Sequence, residues 1–318
     1  MKNQVEMING WSRSTFSESH VYYPENLDDL KIILNIAKRK NLNIIPMGSG
    51  NSYGDEFQNS ENVVIKTEYL NKIISWNSIT GMLTVEPGVT IKQILSFCLD
   101  DGWILPVIPG VRTPTIGGCL ANNVHGKNCI EAGNFGNCVK NFKILTSSGN
   151  TLTCNRKINS NLYYSAIGGL GLLGVFTCIK LQLKRIKSTK LNVKKITVNN
   201  INDMINKLEE LSKTNNYVIG QIDGFKADKF LGRGTIHAGI EVDKSTYYKL
   251  DKKDLIVSNN LFFVPWKYII KVLRYFINPF IMRWISSLKY YLDSISSYRD
   301  QETIFPKFNF LLDRIPEW

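Results

Sequence analysis

The run PTIGGCLANNVHGKN, residues 114–128, decides how the rest of this chain is read. It holds two adjacent glycines, three asparagines, a histidine and a lysine. Neither a helical nor a strand period organises it. Glycine-rich backbone lets main-chain N–H groups come close to a ligand, so such a run is expected to wrap around something. Working outward, similar clusters recur in GSGNSYGD (48–55), VEPGVT (85–90), PGVRTPTIGG (109–118), AGNFGN (132–137) and AIGGLGLLG (166–174). Each alone is a turn. Together they place glycines mostly at strand ends, where turns make anion-binding nests. A dinucleotide, with a pyrophosphate and a large flat ring, would use such clusters along its length.

The surrounding sequence alternates helix and strand. LDDLKIILNIAKR (27–39) puts Leu30, Ile33, Ile36 and Ala37 on one helical face, with Asn26 as N-cap and basic residues in the last turn. NIIPMGSG is a short strand running into glycines, and VVIK (63–66) is another strand. Residues 73–77 and 82–86 flank SITG as a hairpin, and PGVT caps a helix from Ile91 to about Leu99. VFTCIKLQLK (175–184) alternates as a strand. Past about residue 190 the texture changes: NINDMINKLEELSK is an amphipathic helix, LGRGTIHAGIEV reads as sheet, and 261–292 is aromatic and helical. A domain boundary is expected near 190–197.

Bulk properties narrow the class. The chain has 318 residues, enough for two domains, and 43% hydrophobic against 21% charged content is that of a globular protein. The net charge of +12 suits phosphates, nucleic acid or an anionic membrane face, or serves solubility alone. No acidic residue lies between Glu131 and Asp203. Six cysteines (98, 119, 129, 138, 154 and 178) form no C-x-x-C pair and no zinc spacing, so reduced thiols of a cytoplasmic protein are expected, and no metal. MKNQVEMINGWSRS lacks the apolar core of a signal peptide, and no run of ~18 apolar residues is present.

Two familiar patterns fail in context. GNSYG (50–54) fits the serine nucleophile elbow, but DEFQNSEN and a strand follow it where a helix is needed. GLGLLG (169–174) fits G-x-G-x-x-G, but a strand follows the glycines and no acid comes before Asp203. A nicotinamide site is therefore rejected there.

The combined pattern resembles the vanillyl-alcohol oxidase / p-cresol methylhydroxylase superfamily of FAD-dependent oxidoreductases. More narrowly it is similar to the decaprenylphosphoryl-β-D-ribose oxidase branch. The likeness starts at GWSRS (10–14), runs through GSGNSYGD, PGVRTPTIGG, HGKN, GNFGN and IGGLGLLG, and extends more weakly to LGRG (231–234) and LLDRIPEW (311–318). It implies an α+β fold: a two-subdomain FAD-binding domain (1–192) followed by an α+β substrate, or cap, domain (193–318). Family members continue past the LLDRIPEW-like segment, so this second domain is expected to be incomplete, a truncated copy whose own activity is open.

The resemblance also implies roles. Gly48, Ser49, Gly50, Asn51, Ser52 and Tyr53 would form the loop on the FAD pyrophosphate. Gly110, Thr115, Gly117, Gly118, Ala121, Asn122 and His125 would run along the flavin and its ribityl chain. Gly126, Lys127 and Asn128 would continue beside the substrate, with Asn134, Gly136 and Asn137 flanking the pocket and Ile179 lining the adenine end. Asn51 stands where covalent members carry a flavin-bonding histidine, so dissociable FAD is expected. The implied reaction is oxidation of a sugar hydroxyl, the ribose 2′-hydroxyl of a polyprenyl-phosphate sugar, by hydride transfer to flavin N5. This is the first half of an epimerisation that a short-chain reductase partner would complete, in cell-wall polysaccharide biosynthesis. His125 and Lys127 are the candidate catalytic residues. His125 would orient the hydroxyl or relay its proton, and Lys127 would stabilise the alkoxide, the substrate phosphate or the anionic reduced flavin. Alternatives are a sugar or sugar-lactone oxidase, and an inactive flavin-binding fragment. A nucleic-acid binder is disfavoured, since no recognition motif accompanies the charge. WKYIIKVLRYFINPFIMRWI (266–285) reads either as a membrane-surface helix, peripheral to the inner membrane face, or as a substrate-domain helix interrupted at Asn278-Pro279.

Overall fold

A computed structural model describes residues 2–242, 260–261, 264–265, 268–269, 271, 276–296 and 298–310. The chain forms two compact units. One is 1–125 with 134–185, and the other is 126–133 with 186–318. Both mix helix and sheet, so the class is α+β.

Unit 1 carries two main sheets. The first has the order β1-β2-β4-β3, built from β1 (Lys2–Asn9), β2 (Phe16–Tyr23), β3 (Ile44–Met47) and β4 (Val63–Lys66). β1 pairs antiparallel with β2, while β2, β4 and β3 run parallel. Helix α1 (Leu27–Arg39) crosses between β2 and β3 and starts where Asn26 Oδ1 accepts the Asp29 N–H at 2.9 Å. Its Leu30, Ile33 and Ala37 pack with Tyr22, Val63 and Ile65 in one core. Each such Leu or Ile buried contributes about 1.5–3 kcal/mol. The β1–β2 hairpin, which the sequence pattern did not announce, is pinned to β4 by Glu6. Lys66 Nζ lies 2.7 Å from the Glu6 carboxylate, and the Tyr23 hydroxyl donates to it. Burial alone would raise the Glu6 pKa. The Lys66, Tyr23 and Gln4 donors outweigh it and bring the value down to about 2.

The second sheet has the order β5-β6-β10-β8-β9, all antiparallel. Its strands are β5 (Ile73–Asn77), β6 (Met82–Val85), β8 (Val139–Leu145), β9 (Thr151–Asn155) and β10 (Val175–Gln182). A two-strand ribbon joins β7 (Trp103–Ile104) to β11 (Lys184–Arg185). Helix α2 (Ile91–Cys98) opens on a capping box between Thr90 and Gln93. Contrary to the reading of 114–128 as unperiodic, Ile116–Ala121 is a short helix, α3. Thr115 caps it, and Gly117 packs against Pro87. Tertiary packing here overrides poor glycine propensity.

Unit 2 carries a sheet of order β13-β14-β12-β15, formed by β12 (Lys190–Val198), β13 (Tyr217–Ile222), β14 (Gly234–Glu241) and β15 (Tyr298–Ile304). The expected amphipathic helix is Ile201–Ser212, capped by Asn200. Its Met204 and Leu211 join Val198, Ile236 and Ala238 in the core of this unit. A second helix, Pro279–Ile295, begins where Asn278 caps it, so the Asn278-Pro279 pair marks a helix start. Within the 266–285 stretch, residues 266–267, 270 and 272–275 lie outside the described residues, as does LLDRIPEW. No described helix is long and apolar enough to cross a membrane.

His237 on β14 is opposite Lys195 on β12 and Ile219 on β13. Burial, and then the nearby Lys289, Lys195 and Lys127 against a single Asp293, push its pKa from an ordinary 6.5 down to about 4. The folded protein therefore binds fewer protons than the unfolded chain between those values, and stability falls as pH drops from 6.5 to 4. The loss is at most about 3 kcal/mol. Urea midpoints at pH 7 and pH 4 are expected to differ less in His237→Gln than in the parent. Equal differences would remove His237 from the account.

Candidate functional site

The loop 48–54 leaves the carboxyl end of β3, and its shape is set by neighbours within unit 1. The Ser49 hydroxyl donates to the Thr113 carbonyl at 2.7 Å. Asn51 Nδ2 donates to Ser49 Oγ at 2.7 Å, and Thr113 Oγ1 donates to Asn51 Oδ1 at 3.0 Å. Gly48 lies so close to Thr115 that a Cβ there would sit 2.2 Å from Thr115 Oγ1. Side chains thus brace the loop from within. The main-chain N–H groups of residues 49–54, by contrast, donate to no acceptor among the described residues. Six successive amides in this half-exposed loop are thus without partners among the described residues, and donors of this kind suit an anion.

The second glycine cluster stands beside the first. Gly110 is half-buried in the stretch that leads to α3, Thr115 and Gly117 are buried, and Gly118 and Ala121 are half-buried on the helix itself. Asn122 is its exposed C-cap. The GLGLLG turn hangs on the other end of α3: Gly168 N–H donates to the Leu120 carbonyl at 3.1 Å, and Leu170 N–H to the Ala121 carbonyl at 2.9 Å. His125 bridges Asn134 as an isolated β-pair, and Phe135 N–H donates to the Val124 carbonyl at 2.8 Å. Gly136 and Asn137 follow on a 3-10 turn, and the Asn123 side chain accepts from Gly136 N–H at 2.9 Å. The 48–54 loop, the GLGLLG turn and residues 134–137 are therefore all tied to residues 113–125 within unit 1.

Not every candidate residue joins it. Ile179 sits mid-strand on β10, paired with both Val85 and Phe142, and is fully buried. It presents no surface to a ligand. Gly126, Lys127 and Asn128 belong to unit 2. There the Lys127 carbonyl accepts from Val218 N–H at 2.8 Å. Its ammonium donates to the carbonyls of Phe308 at 2.6 Å and Asn309 at 3.1 Å, and lies 4.9 Å from the Phe308 ring. Burial lowers its pKa to about 8. Lys127 is thus an internal tie of unit 2. His125, the last residue of the first unit-1 segment, keeps an exposed imidazole that makes no hydrogen bond among the described residues.

Reading from sequence missed Thr113 and Asn123. Thr113 braces the 48–54 loop through both its carbonyl and its hydroxyl. Asn123 adopts φ +44° and caps the 3-10 turn. A signal for Asn123 existed, since asparagine is the residue that most readily takes a left-handed backbone after glycine.

The chain was compared with known proteins. Residues 19–155 match the family described as FAD binding domain. The chain is 32% identical over 173 residues to decaprenylphosphoryl-beta-D-ribose oxidase of Mycolicibacterium smegmatis, covering 54% of this chain and 38% of that protein. It is 26% identical over 242 residues to D-2-hydroxyglutarate dehydrogenase of Stutzerimonas stutzeri, covering 73% and 52%. It is 27% identical over 165 residues to the mitochondrial D-2-hydroxyglutarate dehydrogenase of Arabidopsis thaliana, covering 50% and 30%. The chain thus spans about half or less of the length of these relatives. Together these findings give the chain an FAD-binding domain over residues 19–155, with FAD as a non-covalent cofactor, and a likeness to known oxidases and dehydrogenases.

Proposed function

We propose that this chain oxidises a CH–OH group, and that its substrate is a sugar hydroxyl, the ribose 2′-hydroxyl of a polyprenyl-phosphate sugar. The observation that carries the flavin chemistry is the row of unpartnered amides at 49–54, braced against the capped glycine helix α3. Gly48 to Tyr53 would hold the diphosphate, with Gly110, Thr115, Gly117, Gly118, Ala121, Asn122, Asn134, Gly136 and Asn137 along the rest of the cofactor. Bound FAD supplies a two-electron acceptor for the carbinol hydrogen. His125, whose exposed imidazole makes no hydrogen bond among the described residues, would take the hydroxyl proton. Lys127 would fix the segment that follows His125, and would meet an anionic substrate group only by exchanging its two carbonyl partners. Residues 193–318 would form the substrate domain, with Gly126 and Asn128 beside the substrate. The product ketone would pass to a short-chain reductase partner. A lipid-linked substrate would bring the chain to the cytoplasmic membrane face.

A second reading is oxidation of a D-2-hydroxy acid. It is favoured by the reach of the D-2-hydroxyglutarate dehydrogenase match, which extends over 73% of this chain. One experiment separates the two. The purified protein is expected to show a flavin spectrum, with the colour passing into the supernatant on acid precipitation. Under anaerobic conditions, bleaching by a polyprenyl-phosphoryl ribose and not by D-2-hydroxyglutarate supports the first reading. The reverse supports the second. A coloured protein that neither substrate bleaches overturns both.

A further inference from the structure

The turn between β1 and β2, residues 10–15, lies outside the segment that matches the FAD-binding family and has no part in the site described so far. It nevertheless grips the 48–54 loop from behind. Trp11 N–H donates to the Ser52 carbonyl at 2.8 Å. Gly10 is buried so tightly that a Cβ would fall 2.1 Å from the Gly54 carbonyl oxygen and 3.0 Å from that of Ser52. Gln58 Nε2 donates to the Thr15 carbonyl at 2.9 Å and to its hydroxyl at 3.1 Å, which fixes the far end of the turn. The Trp11 and Tyr53 rings meet edge to face, 5.2 Å between centroids.

These contacts set the direction of the loop's donors. In a trans peptide the C=O of one residue and the N–H of the next point opposite ways. No cis bond is present among the described residues. With the Ser52 carbonyl held by Trp11, the Tyr53 N–H must point away from the turn, on the open side of the loop. With the Gly54 carbonyl turned against Gly10, the Asp55 N–H is set the same way. We propose that Gly10 and Trp11 are positioning residues for FAD, which act by aiming the Tyr53 and Asp55 amides at its diphosphate. This rests on the reading that the 48–54 loop holds that diphosphate.

The test uses Gly10→Ala, which pushes two carbonyls, and Trp11→Pro, which removes the N–H at a turn position that accepts proline. Gln58→Ala is a milder third variant that frees the other end of the turn. FAD release is followed by the rise in flavin fluorescence on diluting the FAD-bound protein, riboflavin affinity by titration, and melting temperature in parallel. Release about tenfold faster or more is expected for Gly10→Ala and Trp11→Pro, the effect of losing one or two hydrogen bonds to a charged group. Gln58→Ala is expected to release several-fold faster. Riboflavin, which has no diphosphate, should bind these variants as it binds the parent. FAD release at the parent rate in the folded variants overturns the proposal, whatever their melting temperatures. So does an equal loss of riboflavin and FAD, which would mean general damage to the fold. Gly48→Ala is run alongside. If it too keeps FAD, the reading of the loop itself falls, and the proposal with it.

Discussion

Gly48→Ala is expected to weaken FAD binding by about a hundredfold, the equivalent of losing two hydrogen bonds to a charged group. The backbone at Gly48 is not left-handed, so the objection is space and not strain. An alanine Cβ would sit 2.2 Å from Thr115 Oγ1, 3.4 Å from its Cβ and 3.5 Å from its Cγ2. Rotating the threonine puts either its methyl or its hydrogen in that place, and either rotation takes the hydroxyl off the helix it caps. The same hydroxyl also caps α3 by accepting from Gly118 N–H at 3.2 Å. The loop must therefore move off α3, breaking the Ser49–Thr113 bond and scattering the amides. Gly48→Ala combined with Thr115→Ala removes the obstructing atom at a cost of about 1 kcal/mol for the cap. Much of the affinity should return in this double variant, a non-additivity read directly by flavin titration. If Gly48→Ala alone binds FAD as the parent does, the loop is not the diphosphate site.

Phe142→Ala should destabilise unit 1 by about 3–5 kcal/mol. Phe142 is fully buried on β8, with one neighbour at Ile179 on β10 and another at Cys154 on β9. Its ring stacks on Tyr163 at 5.3 Å and meets the edge of Phe176 at 4.9 Å. The Tyr163 hydroxyl is in turn tied to the Val139 carbonyl at 2.8 Å, so it cannot slide into the hole. Domains of this kind have about 5–15 kcal/mol of stability in all, so this one change removes a large share. The urea midpoint, read by near-ultraviolet circular dichroism, should fall by about 1–3 M. Phe142→Leu keeps most of the volume and should cost about 1.5 kcal/mol or less. A midpoint for Phe142→Ala within error of the parent would show that the aromatic cluster does not set the stability of this sheet.

Much of the fold is written locally. Asn26, Thr90 and Asn200 mark three helix starts because capping is a matter of one side chain and an amide two or three positions on. The 73–77 and 82–86 hairpin and the glycine clusters were legible for the same reason. Other features depend on distant partners. β1 and β2 are polar along most of their length, with Ile8 the one buried side chain in β1, so alternation is faint. Helix α3 carries two glycines and exists because Thr115, Pro87 and Val89 hold its first turn. The resemblance puts Ile179 at the adenine end, but its full burial in a central strand follows from tertiary packing that no local pattern carries. The resemblance puts Lys127 beside the substrate. Its acceptors lie 181 and 182 positions further on, beyond any local rule.

The assignment of residues 126–133 to unit 2 has a consequence for how the protein is made. As the chain leaves the ribosome, unit 1 has all its own residues once Arg185 is out. The eight residues that interrupt it are already present but have nothing to dock on. Val218, which donates to the Lys127 carbonyl, comes later, and the Phe308 carbonyl that receives the Lys127 ammonium later still. The stretch directly after His125 is thus early in synthesis and late in ordering. Cleavage of the chain near residue 186 would give an N-terminal piece with a tethered, undocked octapeptide, and a C-terminal piece missing the lysine that ties its last described helical turn.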